Sequence, residues 1–301
     1  MNVGNVVHAR PFLRWAGSKR KVLPELKQFF PSQVHRYLEP FAGSACLFFT
    51  LAPRRAVLSD LNPELMNTYR AVRAEPTRVG KILSSMPVSE KEYYSVRELK
   101  SKSLTQAEQA ARFIYLNRFC FNGLYRTNLK GEFNVPYGAP KNYIVPTTEE
   151  LKRCSAALQN TTIMTGDFEK VVGARVKPGD FVYLDPPFFQ STRRVFREYN
   201  SRPFEAADLA RLTRLLRLID EAGATFVVSY AACPEARAAF KGWRCSEIQT
   251  TRNISGFTCY RRIAIEIVVT NAAIPKYAQC SSAAVTSPGL RKLTGRSPTA
   301  Q

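Results

Sequence analysis

The feature that most constrains the fold is an alternation of short apolar strands with helices, which occurs in two separate blocks. In the first block, HRYLEPFAG is a strand that runs into a glycine turn, SACLFFTLA is a buried helix, and RAVLSD is a second strand. In the second block, TTIMTGDFEKVV and DFVYLDPPFF carry further strands, and FEAADLARLTRLLRLIDEAG is a helix ahead of the strand ATFVVSYA. Alternation of this kind builds a parallel sheet covered by helices. We therefore predict an open, mostly parallel α/β sheet.

Between the two blocks the pattern is first helical and then irregular. NPELMNTYRAVRA, a stretch around residues 88–102, and TQAEQAARFIYLNRF are predicted helices, and the last begins with Thr105 and Glu108 in the spacing of a capping box. Residues 117–146 lack periodicity and are rich in Asn, Gly, aromatic and basic side chains. Loops of this length are usually functional or disordered, and the aromatic content favours a functional loop.

The C-terminal part predicts a hairpin followed by a tail. SEIQTTRNIS and RRIAIEIVVT flank a loop that contains glycine, which is typical of two antiparallel strands. The following residues are rich in Ser, Ala, Thr and Pro and carry basic but no acidic side chains. We predict a discontinuous domain of residues 1–61 and 147–272, an insertion of residues 62–146, and a flexible basic tail of residues 273–301.

The charge balance predicts a polyanionic partner. The chain has 44 Lys and Arg against 24 Asp and Glu, a formal net charge of +20 and a pI near 9.9. Nucleic acid is the commonest partner of so basic a surface. Ribosomes and anionic membranes also bind basic proteins, and they stay open as alternatives.

Cysteine and histidine usage predicts that the protein holds no metal. The seven cysteines include no C-x-x-C pair, and the chain has only two histidines, whereas zinc sites need clustered ligands.

No apolar run reaches the length of a membrane span, and the N-terminal MNVGNVVHARPF lacks a signal-peptide core. We therefore expect a soluble, intracellular protein.

The strand DFVYL ends in an acid and two prolines, followed by an aromatic residue. Each proline fixes φ near −65° and removes a backbone donor. The segment therefore holds the Asp185 carboxylate, the Pro186 carbonyl and the Phe188 ring in a rigid arrangement. The carboxylate and the carbonyl are two fixed hydrogen-bond acceptors, which could bind an amino group. DPP alone is equally consistent with an ordinary turn.

Four further residues are candidate ligand contacts. Gly43 follows the first strand, where a glycine lets a ligand approach the backbone, and its alternative is a tight turn. Asp60 ends the next strand, where an acid accepts hydrogen bonds from ribose hydroxyls in nucleoside-binding folds. Its alternative is an N-cap for the following helix. Trp15 and Lys19 place an aromatic ring and a cation ahead of both, with a solvated basic segment as their alternative.

Together these segments resemble the Dam family of DNA adenine-N6 methyltransferases. The resemblance rests on FLRWAGSKRK, YLEPFAGSACLF, LSDLNPEL, LNRFCFNGLYRTNLKGEFNVPYG, GDF and DPPF, and it extends over about residues 12–272. DPPF is shared with enzymes that methylate other amino groups, whereas the block at 116–138 is specific to this family. The resemblance implies a Rossmann-like methyltransferase sheet, a mainly helical target-recognition insertion, and S-adenosylmethionine as cofactor. It also implies double-stranded DNA as partner, adenine in GATC as target, and a monomer in the cytoplasm of a bacterium or phage-infected host.

The resemblance further implies roles for individual residues. The catalytic residues it implies are Asp185, Pro186 and Phe188. The cofactor contacts it implies are Trp15, Lys19, Phe41, Gly43, Asp60, Asp167, Phe168 and Asp185. The DNA contacts it implies are Arg118, Phe121, Asn122, Leu124, Arg126, Asn128, Asn134 and Pro136. Within the last set, Arg126 matches a residue that reads guanine, and Phe121 and Leu124 match residues that touch or enter the base stack.

Three residues depart from the family pattern. Arg14 replaces a more usual lysine, Phe188 a commoner tyrosine, and Phe121 an aromatic residue that often carries a hydroxyl. Two other functions stay open: an RNA or protein methyltransferase on the same sheet, and a basic DNA-binding protein that has lost catalysis. Asp185 in place of asparagine argues against glutamine methylation, and the long insertion argues against RNA adenine methylation. The full set of site residues argues against lost catalysis.

Overall fold

The structure is a computed structural model, and it describes residues 9–128, 130–139, 144–187, 204–253 and 261–272. Within these segments, seven strands form one sheet: β1 (Arg36–Glu39), β2 (Ala56–Asp60), β3 (Thr161–Thr165), β4 (Asp180–Leu184), β5 (Thr225–Ala231), β6 (Arg244–Asn253) and β7 (Arg261–Thr270). Their order is β3-β2-β1-β4-β5-β7-β6. The first five are mutually parallel, and β7 runs antiparallel to β5 and β6. The predicted parallel sheet and C-terminal hairpin are confirmed.

Ten α-helices accompany these strands in the described part of the chain: α1 (Leu23–Lys27), α2 (Cys46–Leu51), α3 (Pro63–Ala74), α4 (Pro76–Ser85), α5 (Glu90–Glu98), α6 (Gln106–Phe119), α7 (Thr148–Leu158), α8 (Phe168–Gly173), α9 (Ala206–Glu221) and α10 (Pro234–Ala239). Short 3-10 helices lie at Lys19–Lys21, Ser101–Ser103 and Phe121–Gly123. The predicted capping box is confirmed, because the side chains of Thr105 and Glu108 each bond the backbone of the other.

The central strands β4 and β5 are buried on both faces, as expected for parallel strands. Alternate residues of β4 divide between two apolar clusters, with Phe181 and Tyr183 in one and Val182 and Leu184 in the other. The first cluster continues through α3 to α7, and the second lies beneath α8, α9 and α10. The insertion between β2 and β3 thus packs on the same core as the sheet, and its status as a separate recognition unit stays a prediction.

The strand order places a crevice at the end of β1. The chain passes from β1 outward to β2 and β3, then returns to the opposite side of β1 with β4. The loops after β1 and β4 therefore leave in opposite directions, and ligands of open α/β sheets bind at such a switch point outside the carboxyl ends of the strands. In the described segments, no helix is both long and apolar enough to cross a membrane.

Candidate active site

Four predicted positions meet at the carboxyl edge of the sheet: Gly43 after β1, Asp60 at the end of β2, Asp167 after β3, and Asp185 after β4. They come from four neighbouring parallel strands, whose carboxyl ends share one edge. Residues that are far apart in the sequence are thereby collected around the crevice.

Asp60 ties the turn after β1 to the start of α3. Its carboxylate accepts hydrogen bonds from the backbone N–H groups of Gly43, at 3.2 Å, and Asn62, at 3.0 Å. Burial raises the pKa of Asp60, and these N–H groups oppose the rise. Asp60 does not cap α3, because the Asn62 side chain accepts the bond from Leu65 N–H at 3.0 Å. The N-cap alternative is therefore excluded, and a ligand contact of Asp60 stays a prediction.

Gly43 is required by a close approach of Trp15. The glycine has φ +46°, and a Cβ there would lie 2.7 Å from Trp15 Cδ1. The indole therefore covers the turn, which differs from the expectation that glycine leaves the backbone open to a ligand. Trp15 also stacks on Tyr125, with ring centroids 5.9 Å apart and planes at 24°. Through Tyr125 the turn after β1 is connected to the insertion.

Asp167 and Phe168 begin α8 beside a second aromatic ring. The Asp167 side chain caps the helix by accepting from Glu169 N–H at 3.1 Å and Lys170 N–H at 3.4 Å. Phe168 is buried, and its ring centroid lies 5.1 Å from that of the half-buried Phe41. Two predicted cofactor contacts thus form an aromatic surface next to an acid.

Arg211 holds this acid and ring in place. It lies on α9 and forms ion pairs with Asp167, Glu169 and Asp208. Its guanidinium carbon sits 4.8 Å from the centroid of Phe168, a cation–π distance. Sequence reasoning missed Arg211, because nothing in an amphipathic helix indicates which of its basic residues reaches another element.

Asp185 belongs to a buried ionic cluster. Its Oδ1 lies 3.0 Å from Lys19 Nζ and accepts a 3.1 Å bond from Ser229 Oγ, which shares a 2.7 Å bond with Tyr183 OH. Lys19 Nζ also lies 3.0 Å from Glu266 Oε2. The Lys19 and Glu266 side chains are each 5% exposed, whereas Asp185 is 20% exposed. Only Asp185 among the three charges is substantially accessible.

The charges of this cluster perturb one another. Burial lowers the pKa of Lys19, but the carboxylates of Asp185 and Glu266 outweigh it, so the pKa is raised. Burial also raises the pKa of Asp185, with Lys19 opposing and Glu266 reinforcing the rise. A perturbed acid in a crevice, with a specific charge partner, is typical of functional sites. Pro186 is buried beside it, and Phe188 lies outside the described residues.

The predicted DNA contacts lie in the segment after α6. Phe121 is 44% exposed, Asn122 is exposed and has φ +55°, and Leu124 packs against the core. Phe121 N–H donates to the Pro136 carbonyl at 2.9 Å, and Pro136 is itself exposed. An exposed aromatic ring is therefore presented on a segment that the backbone holds in place.

Arg126 is fixed by Asn134 within a small hairpin. Arg126 Nε donates to Asn134 Oδ1 at 2.8 Å, and Thr127 pairs with Phe133 in an antiparallel bridge. Asn128 closes the turn, because its Oδ1 accepts from two backbone N–H groups that follow it. Asn128 and Asn134 thus have structural partners, and their DNA contacts stay predictions.

Arg118 points toward the protein rather than outward. Its Nε and Nη2 both donate to the Phe12 carbonyl, at 3.1 and 2.8 Å. Burial, with the nearby charge of Arg14, lowers its pKa to about 10. This position ties the N-terminal segment to α6, and a DNA contact of Arg118 stays a prediction.

Glu266 could not be predicted from the sequence either, because it lies within β7, a strand whose residues are largely apolar.

The described residues contain no group of three or more His, Cys, Asp or Glu side chains placed to hold a metal ion.

Residues 15–254 match the family model of the D12 class N6 adenine-specific DNA methyltransferases. The chain belongs to this family. The resemblance to DNA adenine methyltransferases is thereby confirmed, and the protein is an adenine-specific DNA methyltransferase whose methyl donor is S-adenosylmethionine.

Several relatives of this methyltransferase cover most of its length. It is 37% identical to the type II methyltransferase M1.LlaDCHI of Lactococcus lactis subsp. cremoris, over 89% of this chain and 97% of that protein. It is 35% identical to the type II methyltransferase M.MjaIII of Methanocaldococcus jannaschii, over 74% and 84%. It is 31% identical to a DNA adenine methylase of Haemophilus influenzae, over 82% and 88%.

The side chains at the crevice of this methyltransferase are chemically compatible with S-adenosylmethionine. The Asp60 carboxylate suits ribose hydroxyls, and the aromatic surface of Phe41 and Phe168 suits an adenine ring. Ser59 Oγ, near the end of β2, is buried and has no hydrogen-bond partner among the described residues, which suits a site completed by a ligand. The residues present therefore fit this cofactor.

Proposed function

We propose that the enzyme transfers a methyl group from S-adenosylmethionine to the N6 amine of an adenine flipped out of duplex DNA, within GATC. The observation that carries the proposal is the position of Asp185. It stands at the switch point of the sheet, partly exposed, and is held by Lys19 and Ser229. Family membership supplies the reaction class, and this geometry supports the assignment of the reacting side chain.

Asp185 would activate the amine by accepting a hydrogen bond from it. The exocyclic amine of adenine is a poor nucleophile, because its lone pair is delocalised into the ring. Among the described residues, the contacts of Asp185 with Lys19 and Ser229 both fall on Oδ1, so Oδ2 would be the oxygen that accepts from the substrate. The Pro186 carbonyl would accept the second amine hydrogen. Two fixed acceptors stabilise positive charge that develops on nitrogen without reorganising during the reaction.

The cofactor would be held by residues on the same edge of the sheet. When bound, S-adenosylmethionine supplies the electrophilic methyl group. Asp60 would accept from the ribose hydroxyls, Phe41 and Phe168 would pack against the adenine ring, and Asp167 would lie beside it. Trp15 covers the turn at Gly43 and would close this part of the crevice, while Phe188 would stack on the target base.

Residues 62–146 would act as the target-recognition part, and the hairpin around Arg126 would read the DNA. Asn134 holds Arg126 Nε, which would aim the guanidinium at a guanine edge. Flipping the adenine out of the duplex costs roughly a few kcal/mol of unstacking and unpairing. The exposed Phe121, with Leu124 behind it, would fill the space that the flipped base leaves. The net charge of +20 would offset that cost through phosphate contacts. Asn122, Asn128, Pro136 and Arg118 would contribute secondary contacts.

We further propose that the enzyme acts as a monomer in the cytoplasm of a bacterium or phage-infected host. Relatives include type II methyltransferases and a DNA N-6-adenine-methyltransferase of Escherichia phage P1, which supports either a restriction-linked or a phage role.

The proposal is tested by tritiated methyl transfer to duplex DNA, RNA and protein side by side. We expect N6-methyladenine in duplexes that contain GATC, and little incorporation into RNA or protein. Duplexes with one GATC base pair exchanged serve as matched controls. Equal methylation of all duplexes would disprove the GATC assignment, and preferential methylation of RNA or protein would disprove the choice of substrate.

A further inference from the structure

The Lys19 side chain is shared between two carboxylates in the interior. Its Nζ lies 3.0 Å from both Asp185 Oδ1 and Glu266 Oε2. Glu266 comes from β7, on which it is paired with Ala231 of β5. The cluster therefore joins the N-terminal segment, the end of β4 and the antiparallel hairpin, three parts of the chain that are distant in sequence.

A buried ionic cluster of this kind contributes little net stability to a fold. Burying charges costs several kcal/mol for each ion, and a buried ion pair often contributes no more than well-packed apolar residues of the same volume. A single lysine and a single carboxylate would already compensate each other. The second carboxylate is 4% exposed as a residue, and it places a further negative charge beside the same ammonium.

We propose that Glu266 is a positioning residue for the methyl-transfer reaction: it shares the Lys19 ammonium with Asp185, so that the ionised Asp185 carboxylate remains a strong hydrogen-bond acceptor for the substrate amine. Without the charge of Glu266, the ammonium would interact more strongly with Asp185 and would weaken it as an acceptor. The inference rests on the proposed role of Asp185 and adds a residue that does not touch the substrate.

The electrostatics of the cluster agree with this division. The charge of Glu266 raises the pKa of Asp185, opposite in direction to the effect of Lys19. Two other titratable side chains influence Asp185 from elements packed around it: Tyr183, on β4 itself, and Glu39, at the end of β1. Burial raises the pKa of Tyr183 well above its usual range and that of Glu39 to about 8. Both therefore stay largely uncharged near neutral pH, and among the described residues the charges that act most strongly on Asp185 are those of Lys19 and Glu266.

The test is Glu266→Gln, which keeps the size of the side chain and an oxygen for Lys19 but removes the charge. We expect the single-turnover rate constant to fall about 10- to 100-fold, less than the roughly 100- to 1000-fold that follows the loss of a group in direct contact with the reacting centre. The acid limb of its pH profile should move to lower pH, because removal of a neighbouring negative charge lowers the pKa of Asp185. Glu266→Asp retains the charge and should recover part of the rate.

Glu247→Gln on β6 is the matched control, since Glu247 pairs with Arg237 at the surface, and it should behave as the wild type. Thermal unfolding verifies that each variant folds. A normal rate in Glu266→Gln would overturn the inference. A reduced rate with an unmoved acid limb would also overturn it, because that result indicates a merely structural contact. Asp185→Asn in the same assay separates the two proposals: an inactive Asp185→Asn beside a normal Glu266→Gln rejects only the role of Glu266, whereas an active Asp185→Asn rejects the role of Asp185.

Discussion

Glu39 makes the stability of this enzyme depend on pH in a direction unusual for an acidic residue. It ends β1, is 4% exposed, and its Oε2 has no hydrogen-bond partner among the described residues. Burial raises its pKa from 4.5 to about 8. The folded protein therefore holds Glu39 protonated at neutral pH, whereas the unfolded chain releases that proton.

The size and sign of the effect follow from proton linkage. Because the pKa is raised on folding, the stabilisation by Glu39 is complete below its ordinary pKa and is lost as the pH rises through about 8. Between those values the folded state binds one proton more than the unfolded state, so the free energy of unfolding falls by about 1.4 kcal/mol per pH unit. The shift from 4.5 to about 8 corresponds in total to roughly 4–5 kcal/mol.

Glu39→Gln removes the ionisation and tests this reasoning. We expect urea unfolding, followed by circular dichroism between about pH 5.5 and 7.5, to give a flatter pH dependence in the variant, by about 1.4 kcal/mol per pH unit. Glu247→Gln, an exposed glutamate, should follow the wild type. Parallel curves for the wild type and Glu39→Gln would refute the buried, protonated state of Glu39.

Two predictions concern binding. Arg126→Ala should reduce discrimination at one base pair of the target by about 1–3 kcal/mol, the value of a bidentate arginine–guanine contact. Lys130, an exposed lysine in the turn of the same hairpin, suits a phosphate contact, so Lys130→Ala should weaken binding to all duplexes alike. Unchanged selectivity of Arg126→Ala in competition assays would exclude Arg126 as a base reader. Arg211→Gln should weaken S-adenosylmethionine binding about tenfold in calorimetry without DNA, within the range for partners in one salt-bridge network. The control Arg237→Gln breaks a surface pair instead, and equal affinities in both variants would contradict a role for Arg211.

Much of the sheet could be predicted from sequence because its signals are local. The strand ends, the glycine turn and the capping box of α6 each depend on residues close together in the chain. Helix α7 was missed, although Thr147 and Glu150 form a capping box at its start that is visible in the sequence. Helix α4 was also missed: it begins at Pro76, one residue after the end of α3, and proline there is equally consistent with the end of a helix.

Site residues could be predicted from the sequence only where they lie at the end of a recognisable strand. Asp60 and Asp185 are visible in this way, because an acid directly follows an apolar run. Glu266 and Arg211 act through contacts to elements far away in sequence, and no local pattern distinguishes them from ordinary strand and helix residues. The reason for Gly43 was likewise hidden, since the indole that approaches it comes from Trp15.

Methyl transfer by Asp185→Ala is the most direct test of the central claim that this carboxylate drives the reaction. The variant should fold, because Lys19 keeps Glu266 as a partner, and it should bind duplex DNA about as well as the wild type. Its rate of N6-methyladenine formation, measured under single-turnover conditions, should fall at least about a thousandfold. Near-normal turnover in a folded Asp185→Ala protein would contradict the account.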